Sequence, residues 1–258
     1  MARARGRVVH QVADREGGTW FLKIEPRATA WEREVRAYDS WGHVPAGSMP
    51  ALAASDETLS TILVSALPGL PSDGSDLDHF RQAGAWLAQF HGGEEPRPRT
   101  RSIAQAGRTL DAMHQRYPGA VGEAAYTFAR SAVRMLEQQP SLEPLDMPSH
   151  GDFRPHNWVT GATSTLGVID FGDSGWHPPT RDLAGLSYAW WQRTPGAEQA
   201  FVAGYGRPLT RSEGVAVLAR NCHRALFDIY EGHRLGVRPS IRRGRRRLRA
   251  LMAASSET

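Results

Sequence analysis

The sequence predicts an α+β chain in which a small β-rich segment precedes a larger, mainly helical one. Three observations carry this. Residues 7–13 and 19–25 alternate or run apolar on either side of Asp14-Arg15-Glu16-Gly17-Gly18, the pattern of a hairpin closed on a glycine turn. Residues 60–64, Ser-Thr-Ile-Leu-Val, form a further extended apolar run. From there on the period becomes helical, as at Phe80, Ala83, Trp86, Leu87 and Phe90, whose aromatics read most simply as core. Strands first and helices after them is an α+β order. The 258 residues suffice for a well-buried core, and length alone allows one large domain or two lobes.

Taken in order, helix signals over about 29–41 separate the hairpin from the 60–64 strand, and residues 71–78 form a loop of Ser, Asp and Gly. Glu94-Glu95-Pro96-Arg97-Pro98-Arg99 then breaks the helical period, and two more helices fit 103–117 and 122–138. Further helices fit 181–192, 195–204 and 210–235, the last opening on a capping box of Thr210 with Glu213. Residues 238–249 carry seven arginines and no acid, which accounts for the net charge of +4 and leaves the rest mildly acidic. An Arg-rich helix could bind nucleic acid or an anionic membrane, but this one lacks interleaved aromatics for base stacking. A solvated terminal helix packing Leu248 and Leu251 on the body is the better reading.

The chemistry is concentrated in His150-Gly151-Asp152-Phe153-Arg154-Pro155-His156-Asn157 and Val168-Ile169-Asp170-Phe171-Gly172-Asp173. An Asp, an Asn five residues on and a second Asp eighteen residues on stand in the order a phosphoryl-transfer site uses them. Asp152 can orient and deprotonate an attacking hydroxyl, while Asn157 and Asp170 offer hard oxygen ligands to Mg²⁺ bridging nucleotide phosphates. A second signal is compositional. Of 31 Lys plus Arg residues a single one, Lys23, is lysine, so an ammonium has been kept at one place, in the strand pattern Trp20-Phe21-Leu22-Lys23-Ile24.

At these residues the chain resembles the aminoglycoside phosphotransferase family, the small-molecule kinases related to choline kinase that share the protein-kinase-like fold. The family's H-G-D-x-x-x-x-N loop is complete at 150–157 and its I-D-[FW]-x-[DE] loop at 169–173. Where the family continues G-D-P-x-x-D-L-A, this chain has Gly175-Trp176-His177-Pro178-Pro179-Thr180-Arg181-Asp182-Leu183-Ala184, with His177 in place of an acid. The resemblance implies two lobes, a nucleotide-binding lobe at 1–66 and a mainly α-helical lobe at 67–258 that carries the catalytic loop, metal loop and acceptor pocket. It implies that Lys23 grips the phosphates of ATP or GTP, held by Glu34 with Glu32 as the alternative. Ser65 and Leu67 would lie in the hinge that meets the purine, Asn157 and Asp170 would hold Mg²⁺, and Asp182 would brace the loop of the catalytic Asp152. The implied acceptor is a hydroxyl on a small molecule, an antibiotic such as an aminoglycoside among the options.

One departure matters. The family's small lobe begins with a strand, a phosphate-covering loop and a second strand before the Lys strand, and only 22 residues precede Lys23. Either the first strand is missing or it is compressed into residues 1–6, where Gly6 alone could serve a phosphate loop. The alternative function is therefore a non-catalytic, kinase-like ligand- or partner-binding protein with a shortened small lobe.

Other classes find less support. The N-terminus lacks the apolar stretch of a signal peptide and no run approaches a membrane span, which points to the cytoplasm. Cys222 is the only cysteine, so no intrachain disulfide can form, and no His pair stands at zinc-ligand spacing. There is no G-x-S-x-G elbow. Trp176, Trp190, Trp191, Tyr205 and Tyr230 could line a ring pocket, although core packing explains each one alone. Asp228 and Glu231, a helical turn apart, could meet substrate amines or form an ordinary solvated face. Nothing in the chain sets an oligomeric state.

Overall fold

The apolar alternation on either side of the glycine turn folds as a hairpin: β1 (Val8–Ala13) pairs antiparallel with β2 (Thr19–Ile24), with Val9 opposite Lys23. The structure, a computed structural model, describes residues 7–41, 43–99, 104–161 and 165–256. Helix α1 (Ala28–Ser40) follows, then β3 (Leu52–Asp56) and β4 (Thr61–Ser65), completing a four-stranded sheet in the order β1-β2-β4-β3. β4 lies at the centre and buries Ile62 and Val64, as its β-branched sequence suits. The sequence did not announce β3. Leu-Ala-Ala-Ser-Asp has no β-branched or aromatic residue, and it is a strand because β4 offers a free edge, which it joins through an irregularity between Leu52 and Ala54. The expected first strand or Gly6 phosphate loop at residues 1–6 lies outside the described residues.

Beyond the sheet come β5 (Leu70–Pro71), α2 (Leu77–Gly92), β6 (Arg97–Pro98), α3 (Ala104–Arg116) and α4 (Glu123–Gln138). Four short strands, β7 (Leu145–Ser149), β8 (Trp158–Thr160), β9 (Gly167–Val168) and β10 (Gly175–His177), frame the two motif loops. The chain ends in α5 (Thr180–Leu186), a π-helical turn over Ser187–Trp191, α6 (Ala197–Tyr205), α7 (Arg211–Leu235) and α8 (Arg238–Ser256). The expected helix at 181–192 thus splits into α5 and the π turn. The capping box of Thr210 and Glu213 is present at the start of α7.

Two compact units result. The first comprises Met1–Pro96, Met147–Asp182 and Trp190–Pro208. Its core is aromatic: Trp86 stacks on Phe90 and on Phe153, Phe80 meets Trp158 edge-on, and Tyr38 meets Phe171 edge-on. Burial of such rings, at roughly 1.5–3 kcal/mol each, fixes the loops that start or end on them.

The second unit comprises Arg97–Asp146, Leu183–Ala189 and Leu209–Thr258. Here α3, α4, α7 and α8 pack around Leu110, Val133, Leu226, Ile229, Leu248 and Leu251. The arginines of α8 are partly used inside this unit. Arg243 bonds Asp228 at 3.0 Å, Arg245 donates to the Ala120 carbonyl at 3.1 Å, and Arg247 stacks over Tyr188. Asp228 is buried and also meets Arg224 at 3.0 Å, so it is neither solvated nor turned to a ligand, while Glu231 pairs with Arg234 on the exposed side. Tyr230 and Trp191 are buried as core residues. Among the described residues no helix is long and apolar enough to cross a membrane.

Candidate active site

The site is built in the first unit from three sequence-distant pieces. Lys23 comes from β2, where its register opposite Val9 and Ile62 places it in the middle of the sheet. It is 6% exposed, and its ammonium forms an ion pair with Glu34, which is fully buried on α1. Tyr38, one helical turn beyond Glu34, donates its hydroxyl to Glu34 Oε1 at 2.9 Å and lies 3.2 Å from Lys23 Nζ. Burial, reinforced by the Glu34 charge, pushes the Tyr38 phenol well up, so it stays a neutral donor. Glu32, the alternative partner, is exposed.

A cavity of about 390 Å³ opens beside Lys23, with Phe21, Ser65, Leu67, Arg7 and Asp170 also on its walls. Four of the expected site residues, Lys23, Ser65, Leu67 and Asp170, therefore share one apolar-walled space. Ser65 ends β4 and its hydroxyl accepts the Ala51 N–H at 2.9 Å.

Asp170 follows β9 with φ 72°, in the left-handed region that a non-glycine residue seldom occupies. Holding it there costs of order 1 kcal/mol or more, a strain that clusters at functional positions. Burial alone would raise its carboxyl pKa; the adjacent Arg7 charge and hydrogen bond outweigh this, aided by Lys23 and His150, and hold it below the ordinary value.

The catalytic-loop residues are tied to one another. Asn157 Nδ2 donates to the Asp152 carbonyl at 2.9 Å and lies 3.4 Å from its carboxylate. Arg154 Nε sits 2.9 Å and His156 Nε2 3.5 Å from the same carboxylate. Burial acts to raise the Asp152 carboxyl, but these neighbours carry it below the usual range, so it is ionised at neutral pH. Arg154 and His156, left open in sequence between substrate contact and solvent, both face Asp152.

The loop's backbone is fixed from below. Gly151 has φ 83°, and a Cβ there would run into the Asp173 carbonyl. Asp182 accepts the N–H of His150 at 2.9 Å and of Gly151 at 2.6 Å, and meets His91 Nε2 at 3.1 Å. His150 accepts the Asp152 N–H at Nδ1, 3.2 Å, and bonds the Ile169 carbonyl through Nε2, 2.9 Å. Each ring nitrogen has a partner, and the ring links the two motif loops directly. His177, where the family has an acid, bonds Arg181 at 2.8 Å.

Asp182 makes acid stability a readout of this brace. Burial favours its neutral form, but the His91 hydrogen bond and charge, His150 and the Gly151 N–H together depress it to about 2 from 3.8. A carboxyl with a lowered folded pKa contributes stability above its unfolded value, and this is lost as pH falls through the folded value. The wild type should therefore lose about 2 kcal/mol from this group between about pH 4 and pH 2. Melting curves over that range should show a shallower decline for Asp182→Asn; parallel curves would mean that the carboxyl is not held low.

Asn157 and Asp170 each carry a side-chain oxygen of the kind Mg²⁺ takes. Both offer hard oxygens, and Asp170 already meets a cation, Arg7 Nη1 at 2.5 Å, where positive charge is in demand. No group of three or more His, Cys, Asp or Glu capable of holding a metal occurs among the described residues, so such an ion would complete its shell with phosphate or water oxygens. Three residues here were not singled out from sequence. Tyr38 carried a signal in its four-residue spacing from Glu34; Arg7 and His91 carried none, since tertiary pairing alone sets their roles.

The sequence model of the phosphotransferase enzyme family matches residues 3–219. A homoserine kinase of Phenylobacterium zucineum (strain HLK1) is 28% identical over 233 residues, covering 78% of this chain and 69% of its own length. Choline kinase of Streptococcus pneumoniae superposes with TM-score 0.66 at 16% identity, over 94% of this chain and 93% of that one. A thermostable aminoglycoside phosphotransferase mutant in a ternary complex with ADP and hygromycin B gives 0.71 at 14% identity, over 100% and 94%. These likenesses show the fold, α+β and protein-kinase-like, with a small sheet lobe and a helical lobe.

Proposed function

The chain belongs to the phosphotransferase enzyme family, and from that premise we propose that it is a Mg²⁺-dependent kinase moving the γ-phosphate of ATP or GTP to a small-molecule hydroxyl. That it is a phosphotransferase with an alcohol acceptor follows from the family. The observation that carries the finer reading is the single cavity onto which Lys23, Asp170 and the Ser65–Leu67 segment converge. In this reading residues 1–66 form the nucleotide lobe, and residues 67–258 supply the catalytic loop, metal loop and acceptor pocket. The purine would lie against Ser65 and Leu67, and Lys23, steadied by Glu34 and Tyr38, would align the phosphates.

Asn157 and Asp170 would hold the Mg²⁺, which when bound neutralises phosphate charge. Asp152 would orient the acceptor hydroxyl and take its proton. Because its carboxyl is held low it is a weak base, and orientation is the larger part of its contribution. The relatives' names suggest acceptors that combine a hydroxyl with an amine or ammonium group, and the mildly acidic body of this chain suits such compounds.

The test is consumption of ATP and of GTP over a panel of homoserine, choline, aminoglycosides and macrolides. Phosphorylated product with one acceptor class, dependent on Mg²⁺, is the expected result. Nucleotide binding without product from any acceptor would favour the non-catalytic reading.

A further inference from the structure

We infer that Arg7 is a phosphate-binding residue for the nucleotide, one that occupies the cation position at Asp170 until the metal-bound nucleotide arrives. The inference rests on the kinase reading of the same cavity. Arg7 directly precedes β1 and lines the cavity. Its Nη1 donates to Asp170 Oδ1 at 2.5 Å and its Nη2 lies 3.7 Å from Glu34 Oε2. It thus bridges two acids, one of them the partner of Lys23.

Two atoms in this arrangement are left over. Among the described residues, Arg7 Nε is buried with no hydrogen-bond partner and Glu34 Oε2 accepts none. A guanidinium with a purely structural role ordinarily spends its buried donors, since each unmet one is costly. The arrangement is balanced in charge, two acids against Lys23 and Arg7, only while no further cation is present. A divalent ion at Asp170 would displace the Arg7 fork by like-charge repulsion, and the phosphates arriving with it would offer acceptors in the fork geometry that guanidinium matches.

The turn between β1 and β2 is closed on itself, with the Glu16 and Gly18 N–H groups both bonding its own Asp14. Asp14 accepts from Glu16 N at 2.9 Å, Gly18 N at 2.7 Å and the Trp20 indole at 2.8 Å. Arg7 stands at the other end of β1 from that turn, on the wall of the cavity.

The test measures ADP affinity by calorimetry, with EDTA and with Mg²⁺, and Mn²⁺ affinity without nucleotide by its paramagnetic signal. The full chain is compared with Arg7→Ala and Arg7→Lys, with melting temperatures alongside. Arg7→Ala should lose roughly tenfold in metal-free ADP affinity, the effect of one charge-assisted contact, while gaining several-fold in Mn²⁺ affinity because the Asp170 position is vacated. Arg7→Lys should recover part of the ADP affinity. Unchanged ADP affinity in Arg7→Ala overturns the inference. So does a joint fall of ADP affinity, Mn²⁺ affinity and melting temperature, which would mark a structural brace. A wild type that binds no ADP, ATP or GTP with Mg²⁺ would instead overturn the kinase reading itself, before any variant is compared.

Discussion

Asp152→Asn is expected to fold normally and to lose roughly 10²-fold or more in turnover, through lost orientation of the acceptor hydroxyl together with lost proton affinity. The substitution keeps the shape of the side chain and removes its charge and proton affinity. Stability should change little, because the Asp152 carboxylate is about a third exposed and its ion pairs with Arg154 and His156 are of the weak, solvent-screened kind. Nucleotide affinity should also hold, since Asp152 does not line the cavity that contains Lys23 and Asp170. The measurement is turnover with the best acceptor of the panel, beside ADP affinity and melting temperature. An unimpaired variant would remove Asp152 from the chemistry, and a parallel loss of ADP binding would place its role at the nucleotide instead.

Lys23→Arg should also fail, although charge is conserved and every other basic side chain of Lys/Arg type in the protein is already arginine. The ammonium stands in a tight place, bonded to the fully buried Glu34 and within 3.2 Å of Tyr38, with Arg7 already on the far carboxylate oxygen of Glu34. A planar guanidinium is wider and directs its donors in a fork, so it cannot take three directions from one point. Turnover should fall by tenfold or more, and stability by more than the 0.5 kcal/mol of an ordinary surface change. Glu34→Gln tests the same pair from the other side: it leaves a buried ammonium without its counter-charge, which typically costs about 3–5 kcal/mol. Activity retained in both variants would mean that the nucleotide is held without this pair.

What could be read from the chain followed the range of the interactions involved. The catalytic and metal loops were legible because their spacing is local: five residues from Asp152 to Asn157, and a short apolar run delivering Asp170. Lys23 stood out through composition, and Glu34 through the family resemblance, with Glu32 as the alternative on the same helix. The hairpin and the long helices were legible from period. By contrast β3 lacks strand-forming residues and exists through its neighbour β4, and the π turn at Ser187–Trp191 has no sequence signature separating it from a helix. Arg7 meets Asp170 from 163 positions away and His91 meets Asp182 from 91, distances over which a single sequence carries no pairing information. Asp228 looked like half of a solvated face until Arg243, from the following helix, was placed beside it.

The unit that holds the site is threaded through the chain in three pieces, Met1–Pro96, Met147–Asp182 and Trp190–Pro208. In terms of synthesis, the cavity walls run from Arg7 to Asp170, so no nascent chain that stops short of Asp170 contains the complete cavity. A nucleotide bound there as proposed cannot guide the early steps of folding and can only reward the finished fold, by binding the native state alone. Contacts of such range form slowly because loop closure precedes their gain. Any continuous stretch that contains all three pieces, 1–208 at the shortest, also carries segments of the second unit.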